Sequence, residues 1–219
     1  MGNSKLRKNN IIRIAIDATA GSGSTSLALK LAKYYKLRYL DTGKVYRWCA
    51  LQIMKRKPKN KINFLRKKIK KLELKELKNK NLIDDKVAQH TSKISSDTKI
   101  RKIVLNFQKK IAYDIPKGYR GSVLNGRDIT YNIVPDANFK FYVTANISER
   151  SKRRFKELRK LRKKVKFKEI LKSLKKRDHS DKKRSRSQGR LEKTKKSRLI
   201  NTTHLSINGS FFLDFLIFL

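Results

Sequence analysis

A single cysteine, Cys49, excludes an internal disulfide framework and fits a reducing cytosol. It reads as a small core side chain rather than a nucleophile. Histidine is nearly as scarce: His90, His179 and His204 lie far apart and lack metal-ligand spacing. No long apolar run follows the basic start MGNSKLRKNN, because IIRIAI is interrupted by Arg13 and is too short for a signal core. A cytoplasmic protein is therefore expected. The closing FFLDFLIFL covers about half of the ~20 residues a bilayer span needs and contains Asp214, so a packed terminal helix is expected there, with no membrane contact. Acidic residues are the remaining shortage. Against 59 Lys and Arg there are 17 Asp and Glu, a net charge of +42 that predicts attraction to polyanions, including nonspecific attraction to nucleic acid. The excess is mostly lysine scattered through nearly every polar segment beside many Asn and Ile, as an A/T-biased genome would produce. Charge by itself therefore chooses no partner.

What is present is enough chain, 219 residues, for one core carrying inserted lobes. Residues 11–17 read as an apolar, β-branched run interrupted by Arg13, which suits a central parallel strand buried on both faces. A small-residue turn follows, then a helix of about two to three turns and a second strand at 37–41, which completes one βαβ unit. Residues 43–56 read as helix. The Lys, Leu and Asn rich stretch 57–82 has amphipathic character and is expected to be a solvated helix or mobile insert. Residues 84–113 read as helical with a break near Ser96 and Asp97. GSVLNGRDI, FKFYVTA and SRLINTTHLSI each carry a further strand, and strands separated by helices imply a parallel α/β sheet. Residues 147–176 read as one very basic helical stretch and 177–197 as a mobile Arg/Ser-rich segment. A basic flexible segment between core elements suits a lid over an anionic ligand, and an RNA-binding arm would look much the same.

The turn after the first strand, ATAGSGSTS, approaches the phosphate-loop pattern G-x-x-x-x-G-K-[ST]. In that pattern glycines let backbone N–H groups converge on phosphate oxygens at a helix N-terminus, the lysine reaches the β and γ phosphates, and the hydroxyl binds magnesium. Here Ala18 holds the first glycine position, Gly23 the second, Ser24 the lysine and Thr25 the hydroxyl. Alanine at 18 is tolerable where the backbone avoids positive φ. Serine at 24 removes a charge aimed at the transition state.

Beyond the loop stand YLDTGKVYR at 39–47, VAQHTSKISSDTKIR, the block NGRDI…VPDA…F.VTA…ER..RR, and KKRDHSDKKRSRS. In this order, over nearly the whole length, the chain resembles bacterial cytidylate kinases. The resemblance implies a nucleoside monophosphate kinase of P-loop NTPase type: a parallel five-stranded sheet flanked by helices, with core 10–54, 116–147 and 197–219, an acceptor-binding insert 55–115 and a basic lid 148–196. It implies a monomer using ATP and Mg²⁺ to phosphorylate CMP and dCMP. ATP phosphates would lie on Ala20, Gly21, Ser22, Gly23, Ser24, Thr25 and Ser26, with magnesium at Thr25 and Arg150 stacked on the donor adenine. Asp41 and Thr42 would face the acceptor phosphate, Tyr46 would pack along the nucleotide, and Arg47 would pair with the CMP phosphate, a task suited to a planar guanidinium. Ser92 and Arg101 would read the pyrimidine edge, with Asn125, Arg127 and Asp128 near base and sugar. Arg154, Arg177 and Arg184 would close on the transferring phosphoryl group.

The chain departs from the family at Ser24, at Ala18, at Asn125, where an aspartate is usual, and at Ile83, where an arginine is common; the insert between Arg47 and Val87 is also shorter. Lys44, on the adjacent loop, is the nearest candidate to substitute for the lysine. Two other readings stay open: a relative that binds nucleotide with weakened or no turnover, and a basic RNA-associated protein reusing the fold.

Overall fold

The structure is a computed structural model and describes residues 11–160 and 164–205. The apolar terminal segment, expected as a packed helix, lies outside the described residues. Five parallel strands, β1 (Ile12–Ala18), β2 (Leu37–Asp41), β3 (Gly121–Gly126), β4 (Phe139–Thr144) and β5 (Arg198–Asn201), form one sheet in the order β2-β3-β1-β4-β5. Strand β1 is central because it is buried on both faces. Ile14, Ile16 and Ala18 pack into one cluster with Leu27 and Leu31 of α1 (Ser24–Tyr35), while Ala15 joins the other cluster with Leu40 and Leu124. That alternation is the two-residue period of a strand, and covering helices on both sides are what a parallel sheet requires.

Helices α2 (Thr42–Arg56) and α5 (Thr98–Tyr113) contribute to the second face, with α3 (Lys61–Ile69) and α4 (Asp85–Ile94) alongside. Aspartate and asparagine side chains start four of these: Asp41, Asn60, Asp84 and Asp97 each accept a backbone N–H of the first turn. The break at 96–97 is the Asp97 cap, as its position before a new apolar period suggests.

The stretch 57–82 differs from the solvated or mobile insert expected of it. Leu65 and Ile69 fall on one face of α3, and with Leu72 just beyond it and Leu77 and Leu82 of two short 3₁₀ turns (Leu74–Lys78, Lys80–Ile83) they are buried in the same cluster as Trp48, Leu51 and Ile53 of α2. Glu76 also accepts a 3.1 Å hydrogen bond from the Trp48 indole N–H. The lysines dominate the composition, but the leucine spacing decides the packing.

The basic stretch from 147 is two helices, α6 (Ile147–Lys160) and α7 (Phe167–Lys183), joined through Leu158, Ile170 and Leu174 and an edge-on Phe155–Phe167 contact at 6.1 Å. Helix α7 thus continues past 176 into the segment expected to be mobile, and that segment is anchored: Asp181 is buried, and its carbonyl accepts the N–H of buried Leu191 at 2.9 Å. Among the described residues no helix is long and apolar enough to cross a membrane.

Leu65 has no exposed surface while Lys67 is exposed. Leu65→Ala should therefore lower unfolding stability by roughly 2–5 kcal/mol and Lys67→Ala by no more than about 0.5, read from urea midpoints at constant m; equal small effects would mean that the leucine stripe does not hold the insert to the core.

Candidate phosphate-binding and guanidinium site

All five strands point their carboxyl ends to one edge, the edge at which open parallel sheets bind ligands. From β1 the chain turns through Thr19, Ala20, Gly21 and Ser22 into α1. Gly21 and Gly23 adopt φ of 77° and 86°, left-handed values that a side chain would strain. Ala18 ends β1 and is not among the positive-φ residues, so alanine serves at the pattern's first position. Gly23 supplies no side-chain cap. The first amides of α1, from Ser24, Thr25 and Ser26, are therefore donors at the positive end of a helix.

Beside the loop, β3 ends in Asn125 and Gly126. The Asn125 Nδ2 donates to Thr25 Oγ1 at 3.3 Å, and its buried Oδ1, like the Ser22 hydroxyl, has no hydrogen-bond partner among the described residues. Thr42 Oγ1 donates to the Asn125 carbonyl at 3.0 Å. A Cβ at Gly126 would fall 1.9 Å from that Thr42 hydroxyl, so glycine there lets the start of α2 close onto β3. Asp41 accepts from the Lys44 N–H at 3.2 Å, a cap rather than a free base, and that bond involves only the backbone of Lys44.

Guanidiniums crowd the same edge. Asp181 is approached by Arg127 Nε at 2.7 Å, Arg184 Nη1 at 3.3 Å and Arg177 Nε at 3.9 Å. Burial alone would push this carboxyl up, yet Arg127, Arg177 and Arg184 together hold it below the usual range. Arg177, whose side chain is 47 % exposed, has the opposite problem: repulsion from Arg127, with further repulsion from Arg47 and Arg154, lowers its proton affinity despite Asp181. So much positive charge around one carboxylate leaves a surplus that an anion would relieve. Arg47 donates to the Leu82 carbonyl at 2.7 Å, and Arg154 pairs with Glu157 at 2.8 Å.

Deeper in, Arg101 and Asp128 form a buried ion pair, with Arg101 also donating to the Ser95 and Ser187 carbonyls at 3.1 Å each. Burial opposes the Arg101 charge, but Asp128 outweighs it. The Arg101 guanidinium lies 5.5 Å over the Tyr46 ring. Ser92, in α4, is exposed, and its carbonyl accepts from the Ser95 hydroxyl at 3.3 Å. Arg150 has partners other than those of a stacking residue. It is buried, donating to Ala145 O at 2.9 Å and Ala20 O at 3.1 Å and gripping Asp178 with both Nη atoms at 3.1 and 2.5 Å.

Several residues of the site escape a sequence reading. Reading 11–17 as an apolar run passes over Asp17, which is fully buried and accepts the Ile129 N–H at 2.7 Å, the Thr130 N–H at 3.2 Å and the Thr130 hydroxyl at 2.5 Å. Its place directly before the loop was the available signal. Thr202, against the loop, lies in no motif, while Arg153, Asp178 and Asp181 stand inside the ER..RR and KKRDHSDKKRSRS blocks without the reading of those blocks giving them a role.

The model of the cytidylate kinase family matches residues 14–210. The chain is 37% identical to the cytidylate kinase of Bartonella tribocorum over 203 residues, covering 90% of each chain, and 38% identical to that of Bartonella quintana with the same coverage. With the cytidylate kinase of Caldanaerobacter subterraneus subsp. tengcongensis it shares 34% identity over 213 residues, again 90% of each.

Burial pushes the Asp17 carboxyl up to about 7, against the three hydrogen bonds it accepts and with a smaller push from Asp128. Such a group binds its proton in the folded state between about pH 4 and 7 and releases it when unfolded, so its contribution to stability grows as pH falls through that window. Relative to Asp17→Asn, the parent should therefore gain stability between pH 7.5 and 5, measured as the difference in urea midpoints; a pH-independent difference would mean that Asp17 stays ionised.

Proposed function

Because the chain belongs to the cytidylate kinase family, we propose that it transfers the γ-phosphoryl group of ATP to CMP, and to dCMP, giving ADP and the nucleoside diphosphate. The observation that carries this reading is the gathering of Arg127, Arg177 and Arg184 around the single carboxylate of Asp181 at the carboxyl edge of the sheet, with Arg47 and Arg154 near enough to repel Arg177. Phosphoryl transfer asks for little covalent chemistry from protein groups; it asks for in-line alignment and for positive charge around the equatorial oxygens.

On this reading the amides of Gly21 to Ser26 hold the ATP phosphates, with the buried Ser22 hydroxyl, which has no partner among the described residues, as a further donor. Arg177 and Arg184, on and just beyond α7, and Arg127, after β3, turn from Asp181 toward the transferring group, and Arg47 and Arg154 complete the ring of charge. The oxygen donors Thr25 Oγ1 and Asn125 Oδ1 suit magnesium, which prefers hard oxygen ligands, and would hold it against the phosphates, where it neutralises charge. Asp128 offers an acceptor for the exocyclic amine of cytosine and Arg101 offers donors for its ring acceptors, so a base without that pattern leaves a buried ion pair poorly satisfied.

Ser24 favours a second reading, a nucleotide-binding relative with weakened or no turnover, because deleting one electrostatic donor of this kind costs roughly a hundred- to a thousandfold in rate. A coupled ADP-release assay with ATP, Mg²⁺ and CMP, with UMP and AMP as controls and Ser24→Lys beside the parent, separates the two. Turnover selective for CMP in the parent, raised by up to about a thousandfold in Ser24→Lys, is expected. Activity in the variant alone would establish the weakened relative. Silence of both folded proteins would overturn the kinase reading.

A further inference from the structure

A phosphate loop turns its amides inward, so its carbonyls face out and need partners of their own. Here α6 provides them. Arg150 Nη1 takes the Ala20 carbonyl at 3.1 Å, and Arg153 Nη1 lies 3.5 Å from the Ser22 carbonyl, which also accepts from Thr202 Oγ1 at 2.8 Å. Arg153 is fixed by its remaining N–H groups: Nη1 to Thr202 Oγ1 at 2.9 Å, Nη2 to Thr202 O at 2.6 Å and Leu205 O at 3.4 Å, and Nε to Glu149 at 3.2 Å. A Cβ at Gly23 would stand 3.9 Å from Arg153 Nη1, so the guanidinium rests against the glycine that precedes Ser24. Four of these contacts are with neutral oxygens, which leave the positive charge in place; Glu149 offsets part of it.

Resting on the reading of this loop as a nucleotide site, we propose that Arg153 is a positioning residue that braces the loop through Ser22 and Thr202 and lends it the fixed positive charge that Ser24 does not supply. Arg150 shares the bracing, but its charge is matched two-pronged by Asp178. Among the described residues Arg153 pairs with one carboxylate, the partly exposed Glu149, and is the less neutralised of the two.

A double-mutant cycle isolates the charge from the brace. ADP affinity, measured by calorimetric titration with Mg²⁺, is followed in the parent, Arg153→Met, Ser24→Lys and the double variant. Arg153→Met is expected to weaken ADP about tenfold in the parent, and the loss is expected to shrink several-fold in the Ser24→Lys background, because one charge then covers for the other. Equal losses in both backgrounds would reduce Arg153 to a structural brace and overturn the charge role. Should Arg153→Met fail to fold, Glu149→Gln tests the same point from the partly exposed side: releasing Arg153 from its carboxylate is expected to tighten ADP several-fold, and unchanged affinity overturns the proposal. ADP binding is read without turnover, so absence of CMP phosphorylation in every variant would sink the kinase reading and leave the cycle to be judged separately. If no protein in the set binds ADP, both fall.

Discussion

Carboxylates are the scarce component of this protein, and the site depends on where three of them stand. Asp128, Asp178 and Asp181 hold Arg101, Arg150 and the Arg127, Arg177 and Arg184 group at the carboxyl edge of the sheet. Without them, so many guanidiniums could not be gathered in a partly buried space: each would seek water, and mutual repulsion would drive the helices that carry them apart. Asp181 illustrates the balance. Its own desolvation is unfavourable, three cations reverse that, and further arginines, Arg47 and Arg154, stand near enough to repel one of the three, Arg177. The outcome is a structure folded around charge that its own acids only partly neutralise.

Most of the fold was legible because each element carried a local signal strong enough to survive the lysine-rich background. The β-branched run before the small-residue turn became β1, and the break at Ser96 and Asp97 became a capped helix start. The stretch 57–82 was misleading for a definable reason. Composition averages over both faces of a helix, and its lysines outnumber its leucines, but it is the leucines, with Ile69, that pack into the cluster of α2. Residues 177–197 failed similarly: an Arg/Ser-rich segment reads as solvated unless its few acids can be matched to distant arginines, and the match of Asp181 joins α7 to Arg127, just after β3 and far away in the chain.

The site was legible where a motif kept functional residues adjacent and opaque where the fold alone brought them together. Gly21, Gly23, Thr25 and the NGRD turn could be named from order along the chain. Arg153 stands in the ER..RR block, but its contacts could not be read there, since the carbonyls of Ser22, Thr202 and Leu205 reach it only in the folded chain. Asp17 was hidden by its surroundings, because a carboxylate inside an apolar strand looks like noise until the amides of Ile129 and Thr130 are seen to point at it.

The absent lysine separates two properties of a phosphate loop that usually occur together. Its shape depends on backbone: Gly21 and Gly23 in left-handed conformations, Ala18 still within the strand, and outward carbonyls held by Arg150, Thr202 and Arg153. None of these involves the side chain at position 24, so the cradle of amides persists with serine there. Its charge is another matter. A lysine delivers a mobile cation to the phosphates from within the loop, whereas the arginines here come from α2, α6, α7 and the turn after β3. Charge supplied from separate elements reaches its full density only when those elements are packed together. On the proposed reading, the electrostatic work that a loop lysine would do falls to the tertiary structure.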